Sequence, residues 1–319
     1  LLLVLIGGWG NLLAQKAGES YARQVNTLIG TKGVGLTSGY LYPGATYPYG
    51  MVQFTPSYFS KRSGFVINQL SGGGCEHMGN FPTFPVKGKL KMSPDNILNY
   101  RINISEEKGH AGYYEAMVQE DIKAKLTVTE RTGMASYEYP ADQQYGTVII
   151  GGGISATPIE QAAVVITAPN KCEGYAEGGN FCGLRTPYKV YFVAEFDTDA
   201  LELGTWKRDD LKPNTTFAEG EYSGVYFTFD VSKKKNIQYK IGVSYVSVEN
   251  ARENLKAENA GWDFLQIQNQ AESKWNHYLG KIEVEGSNPD RTTQFYTHLY
   301  RSFIHPNVCS DVNGEYMGA

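Results

Sequence analysis

The sequence contains little charge. Charged residues make up 19% of its 319 positions, and Lys+Arg 29 against Asp+Glu 33 give a formal net charge of -4. It has no block of lysines and arginines, which a protein needs to capture the phosphate backbone of nucleic acid. We therefore exclude nucleic acid as a partner and expect a neutral or polar ligand.

Cysteine is also scarce. The four cysteines are Cys75, Cys172, Cys182 and Cys309. None belongs to a CxxC motif or has the Cys/His spacing of a zinc site, so we expect no zinc. Two interpretations of the remaining pattern stay open: a disulfide between Cys172 and Cys182 that closes a short loop in an exported protein, or small buried thiols.

The glycine-rich segments lack the residues that bind nucleotides. Glycines 72–74 are not followed by the Lys-Ser/Thr pair of a P-loop, and glycines 151–153 lack the dinucleotide spacing. The sequence DVNG, which begins at Asp311, resembles part of a calcium loop, but the other ligands of an EF-hand are absent. We expect turns at these places.

No apolar run reaches the ~20 residues that a membrane-spanning helix requires. The N-terminal run, residues 1–6, is short and is followed by glycines and by the small-residue end LLAQ at 12–15. This arrangement is typical of a secretory signal peptide. The sequence predicts that residues 1–15 are the remnant of such a signal, that the protein is exported (periplasmic or secreted) and that it has no membrane span.

Glycine and tyrosine are abundant, with Gly 36 and Tyr 23, and they separate short β-like runs. Residues 125–130 and 134–140 alternate on either side of a turn and predict a hairpin. Residues 188–196, 224–231 and 237–248 continue the series. Short strands without interleaved amphipathic helices predict a mainly β fold, a large antiparallel β-sandwich over residues 21–248.

Helical spacing replaces these runs after Val248. Apolar residues recur at helical intervals over 249–278 with a break at 260–261, and a short β-like patch follows at 281–284. A further helix is predicted to begin at Asp290 as its cap, with an apolar stripe of Phe295, Leu299 and Phe303 or Ile304. We predict a helical linker at 249–285 and a helical domain that starts at 286–319 and is truncated there.

The most distinctive segment is YPGATYPYGMVQFTP at positions 42–56. Proline fixes φ, glycine permits positive φ, and tyrosine offers a flat apolar ring with a polar tip. Such a loop presents rings and backbone groups at fixed angles, which suits a sugar pocket. A buried connector in a large β protein accounts for the same residues equally well.

Seven segments follow one another along the chain: VNTLIGT at 25–31, the loop at 42–56, QLSGGGC at 69–75, GYY at 112–114, LTVTERTG at 126–133, YRSF at 300–303 and SDVNGEYMG at 310–318. Together they resemble the N-terminal portion of glycoside hydrolase family 92, the exo-acting α-mannosidases. The resemblance runs from about Val25 to the end, and the ordered set is far more specific than any one segment.

The resemblance implies an N-terminal β-sandwich, a helical linker and an (α/α)6 barrel that this chain only begins. It implies calcium-dependent hydrolysis of α-mannosides, with inversion at the anomeric carbon and with mannose-containing glycans as substrates. Inversion needs a general acid and a general base whose carboxyl groups are roughly 6.5 to 9.5 Å apart. In the family these carboxylates and most ligands of Ca²⁺ belong to the barrel, so we expect them beyond residue 319.

What the resemblance assigns to this chain is part of the wall of the mannose pocket. The residues it implies in sugar contact are Gly33, Tyr49, Gly50, Cys182, Arg185 and Asp311. For Cys182 we expect an apolar contact, because a nucleophilic thiol needs a base and the sequence identifies none. The chain departs from the family at KGVGL (32–36), where many members carry histidine, and at the residues after Cys75, so its linkage preference is open.

Other readings of the titratable residues and of the whole chain remain. Glu76 and His77 beside the glycine-rich turn suit an acid/base or metal pair, but a polar surface loop is the preferred interpretation. His298 and His305 are predicted to pack on the last helix, and His110 to lie in a loop. For the chain, the alternatives are a non-catalytic carbohydrate-binding sandwich and a phosphate-dependent family 65 disaccharide phosphorylase.

Overall fold

A computed structural model describes residues 20–31, 41–57, 64–94 and 103–318. The strands in chain order are β1 (Ala45–Thr46), β2 (Gln53–Pro56), β3 (Phe65–Val66), β4 (Thr83–Lys87), β5 (Ile104–His110), β6 (Tyr113–Val118), β7 (Ile122–Val128), β8 (Thr132–Glu138), β9 (Tyr145–Gly151), β10 (Ile159–Ala168), β11 (Lys171–Phe181), β12 (Leu184–Phe196), β13 (Glu202–Lys207), β14 (Asp210–Pro213), β15 (Phe217–Glu219), β16 (Ser223–Asp230) and β17 (Asn236–Ser244). The helices are α1 (Tyr21–Gln24), α2 (Val248–Glu258), α3 (Phe264–Leu279) and α4 (Pro289–Ser302).

The strands form two antiparallel sheets, which confirms the predicted mainly β sandwich. One sheet has the order β1-β2-β3-β4-β9-β16-β13-β14, and the other β15-β10-β11-β12-β17-β8-β7-β6-β5. The predicted hairpin is β7 with β8, in the register Val128 opposite Gly133. The predicted run at 188–196 is the second half of β12, which pairs with β11 and β17.

Aromatic rings from both sheets fill the space between them. Phe54 and Phe65 of the first sheet meet Tyr239 and Tyr137 of the second, with ring centroids 6.3 and 6.4 Å apart. All four side chains are almost completely buried. Burial of each such ring stabilises the fold by about 1.5–3 kcal/mol, so this layer holds the two sheets together.

The helices follow the predicted order, and their caps explain their limits. α2 ends at Glu258 and α3 begins at Phe264, which confirms the predicted break, and Asp263 caps α3 by accepting from the backbone of Gln266. The prediction that Asp290 caps α4 is wrong, because the cap is Asn288. Pro289 occupies the first helical position, and the Asn288 side chain accepts hydrogen bonds from the free N–H groups of the two residues after it.

A further prediction about the C-terminal part is wrong. Residues 281–284 are not a strand, since the hydroxyl of Tyr296 binds this segment by accepting from Val284 N and donating to the carbonyl of Ile282. The predicted apolar stripe of α4 is confirmed in part, because Ile304 is 1% exposed and Phe295, Leu299 and Phe303 pack half-buried against the same core. The residues of α4 itself that are buried most completely are Tyr296, Thr297 and Tyr300. The tyrosines are inside because their hydroxyls find hydrogen-bond partners there.

The described residues contain no helix that combines the length and the apolar character needed to cross a bilayer.

Candidate functional site

Tyr49 lies where the sandwich meets the segment that follows α4. Its backbone N donates to the carbonyl of Phe303 at 2.9 Å, and its own carbonyl accepts from Val308 N at 2.8 Å. Its φ of 56° lies in the left-handed region, which costs a non-glycine residue about 1–2 kcal/mol. The half-buried ring makes edge contacts with Tyr278 and Phe303. The loop is thus a connector held in an unusual conformation, and sugar contact by Tyr49 stays a prediction.

Gly50 is fixed by its close surroundings. Its carbonyl accepts hydrogen bonds from Gln53 Nε2 at 3.0 Å and from Asn307 Nδ2 at 2.6 Å. A Cβ at this position would lie 2.9 Å from Cβ of Tyr47, so a larger residue would displace the turn. The glycine lets residues 47–50 approach the segment after α4, and its contact with sugar also stays a prediction.

A glycine-rich loop, residues 70–79, contacts the same segment through His305 and is closed on itself through His77. Leu70 N donates to Nε2 of His77 at 2.7 Å, and Ser71 N donates to Nε2 of His305 at 3.0 Å. His77 is 3% exposed, so the predicted surface position is wrong for it, although Glu76 beside it is exposed. The imidazole is inside because it accepts an amide of its own loop, and burial lowers the pKa of His77.

A disulfide joins this loop to the second sheet. Cys75 is bonded to Cys182, which follows β11 at its turn into β12. The suggested pairing of Cys172 with Cys182 is wrong. Cys172 lies near the start of β11 and Cys182 directly after its end, and ten residues of strand span about 33 Å. Cys172 is a free thiol buried in the core, and burial raises its pKa well above the usual range. The exposed Cys182 remains a predicted sugar contact, now as half of a disulfide.

Arg185 lies on the exposed side of the same hairpin. Its side chain is 71% exposed and forms two hydrogen bonds to the carboxylate of Glu160, at 3.1 and 2.9 Å. Glu160 belongs to β10, so this pair bridges two strands that flank β11. The predicted role of Arg185 in sugar binding requires the guanidinium to serve a sugar hydroxyl besides this carboxylate.

Asp311 is buried in a cradle of amide and hydroxyl donors. Its Oδ2 accepts from Ser244 Oγ at 2.6 Å and Asn250 Nδ2 at 2.8 Å, and its Oδ1 accepts from Asn254 Nδ2 at 2.6 Å. Only 2% of the residue is exposed. The carboxylate therefore anchors its own segment to β17 and α2. The sequence analysis missed Asn250 and Asn254. Their spacing of four residues, one helical turn, was the pattern in the sequence that could have indicated these donors.

Arg131 binds Ser310, the residue before Asp311. The sequence analysis assigned no role to Arg131. Its Nε donates to the carbonyl of Ser310 at 2.7 Å, and its Nη1 donates to Oε1 of Glu258 at 2.7 Å. Glu258 also accepts from the backbone N of Arg131 at 2.8 Å. Arg131 belongs to the segment LTVTERTG (126–133) that carries the family resemblance. The sequence could therefore single out this arginine, but it could not identify Glu258 and Ser310 as its partners.

The other histidines for which the sequence made predictions are His110, His298 and His305. His110 ends β5, stacks on Tyr113 and lies 3.5 Å from Oε1 of Glu272, so it is not in a loop as predicted. Burial lowers the pKa of His110, and the nearby Glu272 opposes that shift. His298 is exposed on α4, whereas His305 contacts the glycine-rich loop. The predicted site residue Gly33 and the predicted signal segment 1–15 lie outside the described residues.

None of the described side chains is identified as a ligand of the predicted Ca²⁺, which stays a prediction. Within 20–31, 41–57, 64–94 and 103–318, no three His, Cys, Asp or Glu residues group closely enough to hold a metal. Asp311, whose DVNG sequence resembled a calcium loop, already accepts three hydrogen bonds from protein side chains. We therefore derive no chemistry from a metal held by these side chains.

Two family models match the chain. Residues 24–244 match the Glycosyl hydrolase family 92 N-terminal domain, and residues 250–319 match the Glycosyl hydrolase family 92 catalytic domain. A protein described as an uncharacterized secreted glycosidase from Arthroderma benhamiae is 26% identical over 334 residues, which cover 92% of this chain and 42% of that protein.

Solved structures are similar over the same extent. The family GH92 alpha-mannosidase BT3965 from Bacteroides thetaiotaomicron matches with a TM-score of 0.83 and 26% identity, over 94% of this chain and 43% of that one. The structure of BT3965 with mannoimidazole matches with a TM-score of 0.82 and 25% identity, over 94% and 42%. The chain thus spans about two-fifths of the length of these relatives.

Proposed function

Because the chain belongs to glycosyl hydrolase family 92, we propose that it is the N-terminal part of an exported enzyme that hydrolyses terminal α-mannosides of glycans. Its sandwich loops form one wall of the mannose pocket. The mannosidase relatives and the mannoimidazole bound to one of them support this substrate class. Calcium dependence and inversion belong to the same proposal and rest on the family resemblance.

The observation that carries the proposal is that segments far apart in the sequence converge on residues 303–311. The loop at 42–56 contacts this segment through Tyr49, whose backbone N donates to the carbonyl of Phe303 at 2.9 Å. The glycine-rich loop reaches it through Ser71 and His305, at a sequence separation of 234. Arg131 binds its Ser310. These are the same segments that carry the resemblance, so a shared site explains both their spacing and their contacts.

In this proposal the residues of the chain position the sugar and the loops around it. The backbone N–H and C=O of Tyr49 are both hydrogen-bonded to the segment after α4, so the position of its ring is restricted. A restricted aromatic ring is suited to the apolar face of a sugar. The Cys75–Cys182 disulfide fixes the glycine-rich loop against the hairpin of β11 and β12. The general acid and general base that inversion requires are assigned to the barrel of the full-length protein.

The proposal is tested with the full-length protein and aryl α-mannosides. We expect hydrolysis, its loss in a chelator, its recovery with Ca²⁺ and the initial release of β-mannose by NMR. A folded full-length protein that hydrolyses no α-mannoside would overturn the proposal. Turnover only with phosphate would favour a disaccharide phosphorylase instead.

A further inference from the structure

Two consecutive backbone amides of the glycine-rich loop donate to two different imidazoles. Leu70 N donates to Nε2 of His77, seven residues along the same loop, at 2.7 Å. Ser71 N donates to Nε2 of His305, which follows α4, at 3.0 Å. The start of the loop is thus bonded both to a histidine of the loop itself and to a histidine of the segment after α4.

These contacts define the protonation state of both rings. A backbone N–H can only donate, so each Nε2 must offer a lone pair, and in a neutral imidazole the proton then lies on Nδ1. The partners of Nδ1 agree: His77 Nδ1 is 2.6 Å from the carbonyl of Cys75, and His305 Nδ1 is 2.7 Å from Oδ1 of Asn307. Asn307 donates its own Nδ2 to the carbonyl of Gly50 and so presents its oxygen to the ring.

Protonation of either ring would place a proton of Nε2 against a backbone N–H. Two donors cannot remain at 2.7 or 3.0 Å, so that amide must leave its imidazole. The titratable neighbour whose charge acts on His77 is His305, and the two positive charges repel each other. His77 also contacts the Cys75 carbonyl, the Leu70 amide and the Phe181 ring, and Glu76 beside it is exposed. The contacts of His305 with Ser71 and Asn307 are uncharged.

We propose that His77 and His305 are positioning residues that hold the glycine-rich loop through its consecutive amides only while both imidazoles are neutral. Acidification then breaks the bond of Leu70 to His77 within the loop and detaches Ser71 from His305 in the segment after α4. Cys75 stays joined to the turn between β11 and β12, because its disulfide to Cys182 does not titrate. The consequence for mannose binding rests on the proposed function, whereas the loss of the two hydrogen bonds does not.

The direct test is hydrogen exchange of the Leu70 and Ser71 amides, resolved by NMR in the 319-residue chain. Between about pH 7.5 and about pH 5 we expect their protection factors, corrected for intrinsic exchange, to fall. The fall at Leu70 should begin only below the ordinary histidine pKa of about 6.5, because burial lowers the pKa of His77. One lost hydrogen bond corresponds to a fall of about 3- to 10-fold. Long-range ¹⁵N–¹H spectra of the imidazoles should show both Nε2 atoms unprotonated at the higher pH.

Two sets of variants separate the titration from a merely structural role. His77→Gln and His305→Gln, combined, retain a side-chain oxygen that accepts a hydrogen bond but does not titrate in this range. We expect this double variant to keep the protection at both pH values. His305→Leu removes the acceptor and should lower the protection of Ser71 at both. His298→Gln, on the exposed side of α4, is the matched control and should behave as the unchanged chain.

Two results would overturn the proposal. One is protection of Leu70 and Ser71 that does not change with pH in the unchanged chain. The other is an equal loss of protection in the unchanged chain and in the double glutamine variant.

The activity of the full-length protein gives a separate readout. We expect KM for an α-mannoside to rise on acidification in the unchanged protein and to rise less in the double glutamine variant. If no α-mannoside is hydrolysed but the amides lose protection, the proposed function fails and the positioning role stands. If hydrolysis occurs and the protection does not change with pH, the positioning role fails alone.

Discussion

The indole N–H of Trp275 on α3 donates to the backbone carbonyl of Thr46 on β1 at 2.7 Å. The hydroxyl of the same threonine is 2.7 Å from the hydroxyl of Tyr300 on α4. The rings of Trp275 and Tyr300 pack with centroids 4.6 Å apart. Both long C-terminal helices therefore bind one residue of the edge strand, three positions before Tyr49, and this contact determines where the helices meet the predicted sugar site.

Tyr300→Phe should destabilise the chain by about 1–3 kcal/mol, because it leaves the Thr46 hydroxyl, which is 1% exposed, without this partner. The measurement is the free energy of unfolding from urea titration. Tyr316→Phe is the matched control, since Tyr316 is 68% exposed and should change stability by less than about 0.5 kcal/mol. Equal effects of the two substitutions would contradict the docking role of Tyr300.

Asp311→Asn should destabilise the fold by about 2–3 kcal/mol, because one of the three donors around the carboxylate would then face an amide N–H₂. Asp290→Asn, at an exposed position in the first turn of α4, is the control and should have a small effect. If Asp311→Asn leaves the unfolding free energy unchanged but lowers mannoside affinity in the full-length protein, Asp311 binds sugar as the resemblance implies and does not anchor its segment.

Replacement of both Cys75 and Cys182 by serine should lower the unfolding free energy by about 2–4 kcal/mol, because the cross-link then no longer restricts the unfolded chain. Cys309→Ser, at an exposed free thiol, is the control. Thiol titration of the denatured, unreduced chain should find the two free cysteines, Cys172 and Cys309. Four reactive thiols without reductant would show that the disulfide is absent.

The stability of the chain should fall on acidification through His110. Burial lowers its folded-state pKa below the ordinary histidine value, so the unfolded state binds more protons below about pH 6.5. The stabilisation is complete above that pH and is lost as the pH falls towards the folded-state value, by at most about 1.4 kcal/mol per pH unit.

His110→Gln should reduce the pH dependence of the unfolding free energy between about pH 7 and about pH 5, because glutamine does not titrate there. His277→Gln, at an exposed position on α3, should leave it unchanged. An unaltered slope in His110→Gln would show that this imidazole does not supply the pH dependence. The Glu272 carboxylate 3.5 Å away remains in both variants.

The 319-residue chain alone should not hydrolyse α-mannosides, because the family resemblance assigns the general acid and base to residues beyond 319. It should also bind mannose and mannobiose negligibly in calorimetric titration, since one wall does not enclose a sugar. Turnover by the purified chain would refute this assignment. Strong mannose binding without turnover would favour the alternative of a carbohydrate-binding sandwich.

The sequence could predict the elements whose signals are local. Alternation across the turn at 131–133 predicted β7 and β8, and the break at 260–261 predicted the separate helices α2 and α3. The side-chain period of a strand or helix depends on neighbours a few residues away, so it is readable from one sequence. The ordered segments that resemble the family are also legible in one sequence, and they agreed with the sandwich that the strand pattern predicted.

The tertiary structure decided which distant residues meet. It placed Cys182 against Cys75, 107 residues away, and Ser71 against His305, 234 residues away. It buried Tyr300 of α4, whose hydroxyl has the hydroxyl of Thr46, 254 residues away, as its partner. Pairing of this kind depends on how the whole chain packs, and no local period encodes it. The sequence by itself therefore determined the sandwich and its loops, and only the folded chain determined how those loops are held together.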